Sequence, residues 1–230
     1  MDDVGSLDEM VARADVIVSV CPPGAAVEVA AAVSDAGFSG TYVDVNAIAP
    51  ATARSIGARF THFVDGGVVG PPAQAAGTTR LYLSGDLAHE VATLWKETSL
   101  ETRVVDGGAG AASAVKVCFA AWTKGSAALL LAIRALAAAE NVEDALLAEW
   151  AVSLPGLDDQ ATRAATGNAP KAWRFAGELD EIAKAFAAHD LPDGFATAAS
   201  DVYHRLAEFK DASGTTLQEV INALRQTAAT

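Results

Sequence analysis

Basic residues are scarce: sixteen lysines and arginines stand against 29 aspartates and glutamates, giving a net charge of -13 at pH 7 and an isoelectric point near 4.6. A field of that sign repels phosphodiester backbones and anionic lipid, which argues against nucleic acid and membrane surfaces as partners. A phosphate-bearing cofactor is still allowed, because local backbone N–H groups can hold one. Cysteine is nearly missing. Cys21 and Cys118 are too few for a disulfide framework, fit a reducing cytoplasm, and have no second cysteine or histidine at metal-ligand spacing. Both are expected to be small buried hydrophobes, and no metal site is expected. The histidines (His62, His89, His189, His204) show no triad or metal spacing. The most apolar stretch, 129–133, falls far short of the roughly 20 residues that span a bilayer. The acidic opening Met1-Asp2-Asp3 carries no signal-peptide pattern.

Hydrophobic residues make up 51% of the 230 and charged residues 20%, the composition of a globular chain with room for one or two cores. Its halves differ in pattern. Up to residue 106, short β-rich runs alternate with helical segments. Apolar, β-branched runs at 15–20 and 41–46 read as strands buried on both faces. Further strands are expected at 62–65, 80–84 and 102–105, with helices at 7–14, 25–36, 51–59 and 86–96. Ser6 followed by Glu9 is a capping box, and Pro50 opens a helix where proline is tolerated. Such alternation predicts a mostly parallel, doubly wound sheet, in which ligands bind beyond the carboxyl ends of the strands. The loops of interest are therefore 21–24, 46–50 and 66–77.

From 107 onward the chain reads as helix after helix: a glycine-rich approach, a long apolar helix over 111–140, then helices at 142–153, 170–189, 192–210 and 216–225. The long helix is apolar nearly all round, with Lys116, Lys124 and Arg134 its only charges before Glu140. A helix apolar on every side needs cover on every side, so a second subunit is expected against it.

Four stretches carry a resemblance: Val20-Cys21-Pro22-Pro23 at a strand end; Asp44-Val45-Asn46 with Ala49-Pro50; Asp65-Gly66-Gly67-Val68-Val69-Gly70-Pro71-Pro72 with Gly77-Thr78; and Gly110 followed six residues later by Lys116. In this order and spacing the chain resembles the β-hydroxyacid dehydrogenases, which include 6-phosphogluconate dehydrogenase and the imine-reductase relatives. The resemblance implies an incomplete Rossmann-type domain over 1–106 and an all-α domain over 107–230, joined by the long helix. It implies hydride transfer between NADP or NAD, with NADP favoured by analogy, and a small hydroxy-acid, carbonyl or imine substrate. It also implies a homodimer through the 111–140 helix and the C-terminal domain.

The same resemblance makes Lys116 the catalytic lysine, Val20, Cys21, Pro22, Pro23 and Asn46 cofactor contacts, and Asp65, Gly66, Gly67, Val69 and Gly70 the substrate loop. Departures accompany it. The family's opening strand with Gly-x-Gly-x-x-Gly, which grips a pyrophosphate at a helix N-terminus, has no counterpart here, as if the chain were truncated at its N-terminus. The family's Ser-Gly-Gly reads Val69-Gly70-Pro71, and the asparagine that follows the lysine is Phe119 or Ala120.

Each residue also has a plainer role open to it. Lys116, desolvated in a cleft, suits proton transfer to a carbonyl oxygen, but a lysine here can also snorkel to the surface. Asn46 can reach a cofactor or make an Asx-turn. Residues 21–24 form a wall under a cofactor or a plain turn. The glycines offer N–H groups or satisfy tight geometry. Asp65 can cap or orient its loop. Lys124 reads as a surface or interface charge, and Trp173 and Arg174 as packing and a salt bridge, or as substrate contacts. A catalytically inactive dimeric module is the alternative to an enzyme.

Overall fold

The computed structural model describes residues 3–226, so Met1-Asp2 at the opening, where the absence of a signal-peptide pattern was read, lies outside it. The chain divides into two compact units. The first runs through Phe119 and takes in Lys184–Leu191; the second comprises Ala120–Ala183 and the residues from Pro192 onward.

The first unit is a five-stranded sheet in simple sequence order: β1 (Val16–Ser19), β2 (Thr41–Asp44), β3 (His62–Val69), β4 (Thr79–Ser84) and β5 (Leu100–Val104). All neighbours pair in parallel except β3 and β4, which are antiparallel. Four helices accompany it: α1 (Leu7–Arg13), α2 (Ala26–Asp35), α3 (Pro50–Gly57) and α4 (Ala88–Ala92). The Ser6 hydroxyl accepts from the Glu9 N–H at the start of α1, and Pro50 occupies the first turn of α3. On one face Ile17 and Tyr42 pack against Ala26, Ala30 and Val33 of α2 and Ala53 and Ile56 of α3. On the other, Val43, Val64, Leu81 and Leu83 pack against Ala88 and Val91 of α4. This is the doubly wound arrangement that the β-rich runs predict, with β3 longer than expected. Residues 66–69, read from sequence as loop, continue β3 and pair with 80–83 of β4.

Helix α5 (Ala111–Ala139) starts in the first unit and continues into the second. There it is followed by α6 (Glu143–Ser153), α7 (Leu157–Asn168), α8 (Ala172–Ala187), α9 (Gly194–Arg205) and α10 (Leu217–Arg225). Leu130 of α5, Trp150 of α6 and Ala161 of α7 form the centre of one cluster. Taken whole, α5 is long and apolar enough to cross a membrane by length and composition, which the 129–133 stretch alone did not indicate. Its three charges are all engaged within the protein: Lys116 donates to the Val68 carbonyl, Lys124 pairs with Glu178, and Arg134 pairs with Glu143 and Asp158. Phe119, Trp122, Leu129 and Leu136 stay exposed along it. Cys118 is exposed and Cys21 half-buried, so neither is the fully buried thiol expected from composition.

Candidate functional site

Register places four polar residues in one row across the sheet: Ser19 on β1, Asp44 on β2, Asp65 on β3 and Ser84 on β4. Register partners on neighbouring strands project to the same face. All four are buried, both aspartates at 0% exposure. The row is satisfied from two directions. On the right, Asp65 accepts from the N–H groups of Gly110 (3.0 Å) and Ser113 (2.9 Å), and from the hydroxyls of Ser113 (2.5 Å) and Ser84 (3.1 Å). The Ala112 N–H donates to Ser84 Oγ at 3.0 Å. The unpaired donors at the start of α5 are thus met by side chains of β3 and β4, with the negative carboxylate at the positive end of the helix dipole. Burial pushes the Asp65 carboxyl above its ordinary range, and the donors from Ser113, Ser84 and Gly110 oppose that rise.

On the left, Asn46 binds the tips of β1 and β2 together. Its Nδ2 donates to Ser19 Oγ (3.0 Å) and to Asp44 Oδ2 (2.9 Å), while its Oδ1 accepts the Cys21 N–H (2.6 Å). Its own N–H donates to Asp44 Oδ1 at 2.9 Å. Burial raises the Asp44 carboxyl to about 6, against the lowering effect of the Asn46 hydrogen bonds, and the neighbouring Asp65 adds to the rise. With 2% exposure and both amide hydrogens engaged, Asn46 is a brace between two strand ends. A cofactor contact through its Nδ2 would have to displace one of these bonds, whereas Oδ1 has a second lone pair.

Lys116 lies in the second turn of α5. Its Nζ donates to the Val68 carbonyl at 2.7 Å, so the amine rests on the backbone of β3. The approach is close because Gly67 has no side chain: a Cβ there would lie 2.8 Å from Lys116 Cβ and 3.0 Å from the Ala112 carbonyl oxygen. Gly66 is equally confined, its virtual Cβ 2.7 Å from Val45 Cγ1. Glycine inside a strand marks such close approach, which is the signal by which these two positions differ from loop glycines. Gly70, just past β3, is exposed and has φ +123, a backbone state that glycine adopts freely.

The structure brings Lys116, Asp65, Gly66, Gly67 and Val69 onto β3 and the first turns of α5. It places Asn46 and Cys21 together at the tips of β1 and β2, joined to the former group through the polar row. Gly66, Gly67 and Val69 are buried, ladder-paired strand residues rather than an open loop presenting N–H groups, because the antiparallel pairing with β4 extends through Val69. Asp65, expected among the substrate contacts, has its carboxylate engaged by the start of α5 and by Ser84 of β4. Val20 (76% exposed) and Pro22 stand open to solvent beyond β1. Sequence reasoning missed Ser19 and Ser84, whose only signal is their shared register with the two aspartates, and Ser113, which meets Asp65 from the first turn of α5. In the second unit Lys124 is largely buried, pairing with Glu178 (2.6 Å) and lying 4.7 Å from the Phe175 ring centre. Trp173 lies under the Lys210 amine, 4.5 Å from its ring centre, and Arg174 beside the Phe175 ring. No group of three or more potential metal ligands occurs among the described residues.

Comparison with solved structures gives this architecture its place. A conserved hypothetical protein from Sinorhizobium meliloti 1021 superposes with a TM-score of 0.68 at 24% identity, covering 95% of this chain and 77% of the other. The 3-hydroxyisobutyrate dehydrogenase of Mycobacterium tuberculosis, solved with L-serine, gives 0.64 at 22%, covering 96% and 83%. The fold is that of the 3-hydroxyacid dehydrogenases. Within this dehydrogenase fold, a reductive aminase from Aspergillus terreus, solved with NADPH and ethyl levulinate, is a more distant neighbour at TM-score 0.50 and 18% identity, covering 95% and 82%. Residues 137–206, which run from the last turn of α5 to the residue that follows α9, match a family described as a domain of unknown function, DUF1932. No curated protein matches in a sequence comparison.

Proposed function

We propose that the chain is an NAD(P)-dependent oxidoreductase acting on a small hydroxy-acid, carbonyl or imine substrate, with Lys116 as its proton-carrying residue. The observation that carries this is the placement of the Lys116 amine: part-buried, on the second turn of a glycine-led helix, held against β3 at the one position where glycine permits contact. In open α/β sheets the crevice beyond the strand ends is the ligand site. A dehydrogenase fold with a part-buried lysine at that place suits proton transfer coupled to hydride movement.

The residues present fit the nicotinamide end of a dinucleotide. Val20 and Pro22 offer an exposed apolar surface beyond β1, and Asn46 holds the Cys21 backbone beneath it. A nicotinamide bound there would supply or accept the hydride. Lys116 then gives a proton to the substrate oxygen or nitrogen, or takes one from it, and the Val68 carbonyl fixes the direction of the amine beforehand. Gly70, exposed past the end of β3, is the substrate-loop position left free to meet a ligand. NADP is favoured over NAD, and the preference rests on analogy alone.

The assembly proposed is a cytoplasmic homodimer. Phe119, Trp122, Ser126, Leu129, Ile133 and Leu136 follow one another at alternating intervals of three and four along α5, the spacing of a helix–helix seam. Trp122 is 74% exposed and Leu129 and Leu136 62% each, an apolar stripe that a second copy of the helix would cover.

One observation favours a second reading, an inactive dimeric module. The polar groups at the tips of β1 and β2 are spent on one another. Fluorescence titration with NADPH separates the two. Saturable binding at micromolar concentrations supports the enzyme; none up to millimolar supports the module.

A further inference from the structure

We infer that Asp44 and Asn46 form a proton-operated latch on the turn at residues 20–23, which the ionised Asp44 carboxylate holds closed and a proton on that carboxylate releases. Its functional consequence rests on the proposal that this turn meets the cofactor; the latch itself does not.

The orientation of the Asn46 amide is fixed by chemistry. The Cys21 N–H can only donate, so the Asn46 carbonyl oxygen must face it (2.6 Å). On the other side of the amide stand Ser19 Oγ and Asp44 Oδ2, which accept from Nδ2 at 3.0 and 2.9 Å. The second Asp44 oxygen accepts the Asn46 backbone N–H. An ionised carboxylate, acceptor only, suits this arrangement at both oxygens. A protonated one keeps acceptor capacity at both oxygens but adds an O–H that needs an acceptor of its own, and both groups that meet these oxygens, the Asn46 backbone N–H and Nδ2, are donors. Turning the Asn46 amide over removes that conflict, because Oδ1 then accepts from the Asp44 O–H and from the Ser19 hydroxyl. The same turn points Nδ2 at the Cys21 N–H, donor against donor, and the bond that holds the Cys21 backbone to the Asn46 side chain is lost.

The groups facing Asp44 leave it as the member that titrates. Asp65 faces it from β3 and takes four donors, from the start of α5 and from Ser84, against two for Asp44. Tyr42, on β2 itself, is raised by burial to about 12. Cys21, from the end of β1, is raised by burial as well. Both stay neutral where Asp44, raised to about 6, changes charge. Two carboxylates side by side in one register cannot ionise independently, and the one with more donors keeps its charge.

Nitrogen–proton NMR of the chain between about pH 5 and 8 tests this, through the Cys21 backbone N–H and the Asn46 side-chain amide. The two signals are expected to titrate together with a midpoint near 6, while the Gly110 and Ser113 N–H signals, which report Asp65, do not follow that curve. In Asp44→Asn the new amide offers N–H to Asn46 at every pH, so the Cys21 signal should stay at its low-pH position throughout. Ser19→Ala keeps the Asp44 contact and should keep the transition; with the unsubstituted chain it decides the matter if Asp44→Asn does not fold. A Cys21 signal that is flat with pH, that moves equally in Asp44→Asn, or that moves only together with Gly110 and Ser113 overturns the latch. NADPH affinity is expected to weaken about fivefold or more through the same transition. An affinity that ignores an observed transition counts against the cofactor assignment of the turn and leaves the latch standing.

Discussion

Replacing Asp65 separates the worth of its hydrogen bonds from the worth of its charge. In Asp65→Ala, the N–H groups of Gly110 and Ser113 lose their acceptor at a buried helix start, as do two hydroxyls. A buried donor left without a partner costs about 1–3 kcal/mol, so the two N–H groups together with the emptied space put the loss at about 3–5 kcal/mol. Asp65→Asn keeps the shape. Its carbonyl oxygen, placed where Oδ2 lies, still meets Gly110, Ser113 and Ser84, and its NH2 finds the Ser113 hydroxyl as an acceptor. Only the charge goes. Because burial raises the Asp65 carboxyl in the folded chain, stability from this group is full below its ordinary titration range and is lost as pH rises through the folded value. At pH 7 the asparagine variant should therefore be as stable as the unsubstituted chain or more so, and that advantage should vanish below about pH 4. Urea unfolding followed by far-ultraviolet dichroism measures both, read as midpoint shifts at constant slope. The reasoning is refuted if Asp65→Ala unfolds within about 1 kcal/mol of the unsubstituted chain, or if Asp65→Asn at pH 7 is as damaging as Asp65→Ala.

Three other outcomes follow from the same geometry. Gly67→Ala must push α5 off β3, since its Cβ would lie 2.8 Å from Lys116 Cβ; a loss of about 1–3 kcal/mol and a displaced Lys116 are expected, readable by denaturation and by loss of turnover. Asp44, raised to about 6 from an ordinary 3.8, contributes stability that is present below about pH 4 and lost as pH climbs through 6; the loss is about 3 kcal/mol, seen as a stability difference from Asp44→Asn that changes over that window. Leu129→Asp places a charge in the exposed apolar stripe of α5 and should give a monomer in sedimentation where the unsubstituted chain gives a dimer; a concentration-independent monomer for both contradicts the proposed assembly.

Much of the fold was legible because its signals are strong and local. The apolar, β-branched runs at 15–20 and 41–46 became β1 and β2, and the apolar run from 111 became α5 almost to the residue. Helix α7 escaped notice. Its buried face is built from Ala161, Ala164 and Ala165, which barely register as an apolar stripe, although Asp158 and Asp159 in its first turn after Gly156 mark a helix start. The far half of β3 was mistaken for a loop for the opposite reason: Gly66 and Gly67 resemble turn residues, and only their contacts with Val45 and Lys116 show why a strand needs them. The candidate site was half legible. Lys116 can be picked out from its place behind Gly110, but the row of Ser19, Asp44, Asp65 and Ser84 exists only in the register of four strands, which no spacing along the chain reveals.

Turnover by Lys116→Ala, compared with the unsubstituted chain on one carbonyl or imine substrate with NADPH, bears most directly on the proposed chemistry. Loss of a positioned proton donor should lower kcat by about 10²–10⁴-fold while cofactor affinity stays within a few-fold. An unchanged kcat would remove the Lys116 amine from the reaction and contradict the assignment.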